Sequence, residues 1–252
     1  MYKANFSYTK HTISKKNGKI RQIFVPNENL KLFLKDFLEN LESIYLKKHL
    51  YDCDHAFLKG KNCVTNAMSH IKNRFVLSLD IENFFESIPK KLLEKHLPSH
   101  VLDLILVNNK IVQGYPTSPY LANIAMIEID TLIMELIKNQ DITYTRYADD
   151  LTFSFNEVTK KDYILANTIK ILKAYNLKIN SKKTKLQDKK NGRAIITGIG
   201  VSMYAVHPTR KTVKKIRAAQ HQQNNLSERG LISWSLCRVP KQSDEITNLH
   251  LT

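Results

Sequence analysis

The chain has 252 residues, enough for one large or two small units with a real core. Its 39 Lys and Arg against 23 Asp and Glu leave a formal charge of +16, which favours a polyanionic partner, nucleic acid before membrane. No apolar run approaches the roughly 20 residues of a spanning helix, the N-terminus lacks a signal-peptide core, and three cysteines without a CxxC spacing disfavour zinc and suit a cytoplasmic chain.

In chain order, residues 8–26 read as a β-hairpin turning at Lys15-Lys-Asn-Gly18. On its return strand Lys19 and Arg21 project together, which suits either a triphosphate clamp or the protective charges of an exposed edge. Residues 30–48 repeat apolar side chains at helical spacing and predict a helix packed on one face. Residues 62–71 predict another helix, carrying Asn66-Ala-Met-Ser-His70, in which His70 is either a helix-end residue or a contact for RNA. Residues 75–79 are a nearly unbroken apolar run, a strand buried on both faces, and Asp80 ends it at the sheet edge. Helices are expected near 89–96 and 101–107.

Gln113-Gly-Tyr-Pro-Thr-Ser-Pro-Tyr-Leu-Ala-Asn123 reads as a loop entering a helix that runs to about Lys138. Gly114 permits close backbone approach there, and Ser118 is the expected cap ahead of Pro119. Residues 142–155 alternate on either side of Asp149-Asp150, a strand–turn–strand with the acids at its tip. Asp-Asp makes a poor tight turn, because such turns want glycine at positive φ, and adjacent carboxylates need a compensating cation. Together with Asp80 they make an oxygen-rich set suited to Mg²⁺. Two such ions activate an attacking hydroxyl and stabilise a leaving pyrophosphate.

A helix at 160–175 follows, then the basic stretch Leu177-Lys-Ile-Asn-Ser-Lys-Lys-Thr-Lys-Leu186. Residues 194–202 read as a strand pair; Gly198 and Gly200 lack the third glycine and the helix of a dinucleotide loop. The last predicted helix, 209–223, carries Lys211, Lys214, Lys215 and Arg217, a set suited to phosphates. Beyond it the chain holds little apolar material apart from Leu231, Ile232, Trp234 and Leu236.

The Asp80 strand, the Gln113 loop and Tyr147-Ala-Asp-Asp150 together resemble, in order and spacing, the polymerase motifs of reverse transcriptases. Asn66 to His70, and Ile196-Thr-Gly198 with Ile in place of Val, resemble motifs of retron reverse transcriptases. The resemblance covers about Lys15 to Gln223. It implies an α/β (α+β) right-hand polymerase, with fingers and palm (1–205) around an antiparallel catalytic sheet and a short helical thumb (206–252).

The resemblance also implies roles for single residues. Two Mg²⁺ would be held by Asp80, Asp149, Asp150 and the backbone carbonyl of Ile81. Lys19, Arg21, Gln113 and Gly114 would meet the nucleotide, and Phe85 would be the steric gate against a 2′-hydroxyl, unless it is the one of the Phe84–Phe85 pair that faces the core. Lys183 is either a proton donor to the leaving phosphate or part of a solvated basic turn. Asn66, His70, Thr197 and Gly198 would recognise RNA, and the lysines and arginine of the 209–223 helix would hold the template–primer duplex. The partners implied are a cognate non-coding RNA that is template and primer, its branched DNA product, deoxynucleoside triphosphates and an effector protein in antiphage defence. Two other readings are a defence-associated reverse transcriptase with protein-primed or template-independent synthesis, and a catalytically silent RNA-binding palm.

Overall fold

The computed structural model describes residues 5–14, 18 and 20–239. Lys19, and Lys15 to Asn17 of the expected turn, lie outside the described residues. The chain opens with strands β1 (Tyr8–Ser14) and β2 (Ile20–Pro26), then helices α1 (Glu28–Asp36), α2 (Leu38–Lys48) and α3 (Cys63–Met68). Strand β3 (Phe75–Asp80) is followed by α4 (Phe84–Ser87), α5 (Lys90–Glu94), α6 (Ser99–Ile105) and the long α7 (Ser118–Ile137). Next come β4 (Thr143–Tyr147), β5 (Asp150–Phe155), α8 (Lys160–Ala174) and β6 (Lys185–Asp188). Strands β7 (Ala194–Ile196), β8 (Ile199–Val201) and β9 (Val206–Pro208) precede α9 (Arg210–His221) and α10 (Asn225–Ser235). The described residues fall into two compact units that interleave along the chain: Met1–Asp52, Ile81–Glu135 and Asn167–Lys178 in one, Cys53–Asp80, Leu136–Ala166 and Ile179–Thr252 in the other.

In the first unit β1 and β2 pair antiparallel from Tyr8↔Pro26 to Ser14↔Ile20. Asn27 caps α1 by accepting from the Leu30 N–H at 3.0 Å. The single helix expected over 30–48 is two helices jointed at Phe37. Backbone bonding continues through the joint (Phe37 N–H to Phe33 O, Leu41 N–H to Phe37 O), so the stripe Leu30, Leu34, Leu41, Tyr45 stays buried on both sides. Ser118 does not cap α7 as expected. It lies inside the helix, and its hydroxyl donates to the Val112 carbonyl at 2.5 Å.

The second unit holds the four-stranded antiparallel sheet, in the order β4-β5-β3-β6. Its central strands are buried on both faces, as the apolar run 75–79 requires. The strand pair expected at 194–202 gains β9 and forms a separate sheet, β7-β8-β9. Cys63, Val64 and Ala67 of α3 pack with Val76 and with Ala194, Ile196, Ile199 and Val201. Just after β6, buried Lys189 donates to the carbonyls of His70 (2.6 Å), Ile71 (2.7 Å) and Ser202 (3.1 Å). An ammonium has three protons for those three acceptors; burial lowers its pKa to about 8. The stretch with little apolar material after α9 carries α10, capped by the Asn224 side chain on the Ser227 N–H.

Candidate active site

Antiparallel pairing of β3 with β5 sets Asp80 directly opposite Asp150. Opposed like charges destabilise a strand pair unless a cation joins them. The tip of the β4–β5 hairpin falls on Ala148 and Asp149, one residue earlier than expected, because Tyr147 pairs with Asp150 and so makes Asp150 the first residue of β5. Ala148 takes a left-handed φ of +56°, at the turn position where glycine is preferred. Asp149 thus follows on the turn, and Asp150 and Asp80 face each other beside it.

Burial, then Asp149, then Asp80 push the Asp150 carboxyl up to about 6, with Lys183 acting in the opposite sense. The Lys183 ammonium lies 2.7 Å from Asp80 Oδ2, and that bond raises its own pKa. It reaches Asp80 because Asn180 N–H donates to the Asp80 carbonyl and Asn180 O accepts from Lys183 N–H, forming a turn beside the strand end. Carboxylates crowded enough to raise the proton affinity of Asp150, with a lysine standing in as counter-charge, fit a hard divalent cation.

In the first unit a second group of expected residues meets. The Gln113 carbonyl accepts from the Phe24 N–H of β2 at 2.8 Å, and its side chain donates to Glu86 at 3.4 Å. Gly114 has φ +112°, and a β-carbon there would lie 2.3 Å from the Phe24 carbonyl oxygen. Arg21 is exposed on β2, three residues before Phe24. Phe84 is buried and Phe85 half-exposed, so Phe84 is the one of the pair that faces the core. The Ile81 side chain is buried directly after Asp80.

The residues expected to recognise RNA divide. Lys211, Lys214, Lys215 and Arg217 are exposed on α9, and Gly198 is exposed at the β7–β8 turn, where it and half-buried Thr197 both take positive φ. Asn66 and His70 are fully buried, so the expected direct contact with RNA is corrected. Asn66 Nδ2 donates to Thr197 Oγ1 at 3.3 Å, which joins the two motifs into one brace. His70 sets its ring nitrogens against Ser154 Oγ (2.8 Å) and Thr145 Oγ1 (2.7 Å) of the hairpin strands. Nothing in the sequence separates this buried histidine from an exposed one. Asp54, bonded to Arg146, and Glu86, bonded to Gln113, also carry no local signal in the sequence.

His70 gives the fold a specific acid sensitivity. Burial, with His55 and Lys189 nearby, lowers its pKa from 6.5 to about 3. Between those values the unfolded chain binds a proton that the folded chain excludes, so this group costs stability as pH falls from 6.5 towards 3. The loss is up to about 1.4 kcal/mol per pH unit. Thermal unfolding of His70→Gln between pH 7 and 4.5 should show a shallower dependence than wild type; an equal slope would assign the sensitivity to another group.

The family profile described as Reverse transcriptase (RNA-dependent DNA polymerase) matches residues 13–224. This chain belongs to the reverse transcriptase family. Within that family it groups with the retron enzymes. It is 32% identical over 240 residues to the Retron Ec86 reverse transcriptase of Escherichia coli, covering 88% of this chain and 71% of that one. It is 29% identical over 243 residues to the Retron Mx65 reverse transcriptase of Myxococcus xanthus, covering 86% of this chain and 56% of the relative. Among solved structures, the telomerase of Candida albicans, determined with a fragment of telomeric RNA, aligns with a TM-score of 0.62 at 11% identity. The alignment covers 84% of this chain and 50% of that one. The fold is that of the right-hand polymerases, and the enzyme class is RNA-directed DNA polymerase. Reverse transcriptases use divalent metal ions and an RNA template. Among the described residues, no helix is long and apolar enough to cross a membrane.

Proposed function

We propose that this reverse transcriptase copies a cognate non-coding RNA, serving as both template and primer, into branched, RNA-linked single-stranded DNA within an antiphage defence system, alongside an effector protein. The observation that carries the catalytic half is Asp80 opposite Asp150 with Asp149 on the adjoining turn. The retron half is supported by the retron relatives and by the contact between Asn66 and Thr197.

Asp80, Asp149, Asp150 and the Ile81 carbonyl are the residues that would hold two Mg²⁺. Bound there, the ions supply activation of the primer hydroxyl and neutralisation of the triphosphate. The protein's own part is to fix two carboxylates on paired strands and the third on the turn between β4 and β5, and to keep Lys183 within reach as a proton donor. Arg21 of β2, together with Lys19, grips the triphosphate, Gln113 and Gly114 bound the nucleotide, and Phe85 blocks a 2′-hydroxyl. Residues 1–205 serve as fingers and palm and 206–252 as thumb, where Lys211, Lys214, Lys215 and Arg217 hold phosphates of the template–primer duplex. Asn66 acts through its bond to Thr197 and His70 through its bonds to Thr145 and Ser154, while Thr197 and Gly198 present the turn to RNA.

Primer extension tests this reading. The protein should extend a DNA primer on an RNA template with deoxynucleotides, and nucleic acid purified with it should contain RNA joined to DNA through a 2′ branch. DNA synthesis without such a branch would retain the polymerase and remove the retron half. Phe85→Val should admit ribonucleotides while still incorporating deoxynucleotides, read by competition between the two; unchanged discrimination would remove Phe85 from the gate.

A further inference from the structure

The turn that carries Asp149 is strained, and a buried ion pair lies against it. Ala148 has a β-carbon where φ is +56°, a conformation that only glycine adopts without cost. Arg146, two residues earlier on β4, is fully buried. Its Nη2 donates to Asp54 Oδ2 at 2.9 Å, and its Nη1 donates to the Ala148 carbonyl at 3.4 Å. Asp54 is also fully buried, and its other oxygen accepts from the Ala56 N–H at 3.1 Å. The backbone fixes the same pair: Arg146 N–H donates to Cys53 O at 2.8 Å, and His55 N–H to Arg146 O at 2.9 Å. Residues 53–55 therefore run parallel along the outer edge of β4, with Asp54 in register with Arg146.

A buried ion pair is weak grounds for stability, because desolvation offsets the attraction. What this one does geometrically is specific. A guanidinium is a rigid fork that serves two acceptors at fixed angles, which a lysine ammonium on a flexible stem cannot reproduce. One arm of the fork is anchored on Asp54 and the other ends on the carbonyl of the strained residue. That carbonyl belongs to the peptide that leads into Asp149.

We infer that Arg146 and Asp54 are positioning residues of the polymerase: the clamp holds Ala148 left-handed and thereby sets Asp149 towards Asp80 and Asp150. The inference rests on the polymerase reading above. It predicts that losing the clamp is repaired by removing the strain it opposes. Arg146→Lys should lower kcat by about 10²-fold, the usual effect of misplacing a reacting group by an ångström. The KM for deoxynucleotide should change little, and Mn²⁺ binding, titrated by electron paramagnetic resonance without substrate, should weaken by about tenfold. Adding Ala148→Gly should then restore kcat by about five- to thirtyfold, the factor separating alanine from glycine at a left-handed position, and Mn²⁺ affinity by about five- to tenfold.

If Arg146→Lys does not fold, Asp54→Asn takes its place, since the amide fills the same space but loses the charge and one of the two acceptor oxygens that serve Arg146 and Ala56, and the same rescue is expected. A loss of activity that only tracks the folded fraction, or a glycine that restores nothing, would overturn the clamp. Wild-type protein that makes no DNA on any primer–template would overturn the polymerase reading instead. The Mn²⁺ titration would still decide the clamp.

Discussion

Asp149→Asn or Asp80→Asn should lower DNA synthesis by at least about a thousandfold while leaving RNA binding nearly intact. The physical reason lies in the register. Asp80 and Asp150 oppose each other across two buried strands, and Asp149 adjoins them on the turn. Burial first, and then repulsion from Asp149 and Asp80, push the Asp150 carboxyl up to about 6. An amide in place of one acid relieves that repulsion, so the folded protein should lose no thermal stability from it. What it removes is a charged oxygen from the cation site. The two substitutions differ in one respect: Asp80→Asn also frees the Lys183 ammonium, now 2.7 Å from the carboxylate. Single-turnover extension, thermal unfolding and RNA binding on the same preparations check all three statements. Residual synthesis above about a thousandth of wild type in either variant would count heavily against these acids as metal ligands.

Gly114→Ala should be the most damaging single methyl in the first unit. The new β-carbon would sit 2.3 Å from the Phe24 carbonyl oxygen and 3.0 Å from Ile23 Cγ2, at a φ of +112° that alanine rarely adopts. Neither neighbour can yield easily, because the Phe24 N–H is already bonded to the Gln113 carbonyl beside it. Relief therefore requires the Gln113 loop and β2 to separate. We expect a loss of about 2–4 kcal/mol, from a clash added to a left-handed penalty, and a fall in unfolding temperature of several degrees. In the folded fraction, the KM for deoxynucleotide should rise at least about tenfold, since the loop and the strand bearing Arg21 would no longer share one backbone contact. A lower unfolding temperature with an unchanged KM would make Gly114 a packing residue only.

The sequence was informative where chemistry and local period coincide. Asp80 ends an apolar run and Asp149-Asp150 interrupts an alternating one, so their strands and their convergence could be read before any coordinates. The turn was misplaced by one residue because the chain puts Ala148, not glycine, at positive φ, against local preference. His70 was ambiguous for a different reason: its partners, Thr145 and Ser154, lie 75 and 84 residues away, and no helical pattern encodes them. The same holds for Asp54, whose partner Arg146 is 92 residues on. The joint at Phe37 was invisible because the apolar stripe continues through it. Local rules found the charged tip of the site; the buried polar contacts that support it are non-local and became visible only in three dimensions.

The strand order β4-β5-β3-β6 has a consequence for how the enzyme is born. Strand β3 is translated first, yet both of its neighbours come later, and Asp80 waits 70 residues (150 − 80) for its opposite number. At about 5–20 residues per second on the ribosome, that is about 4–14 seconds. Throughout this interval the nascent chain carries Phe75-Val-Leu-Ser-Leu79 with two open edges, the kind of segment that chaperones shield. Catalytic competence therefore waits on two later strands, β5 closing one side of β3 first and β6 the other after it.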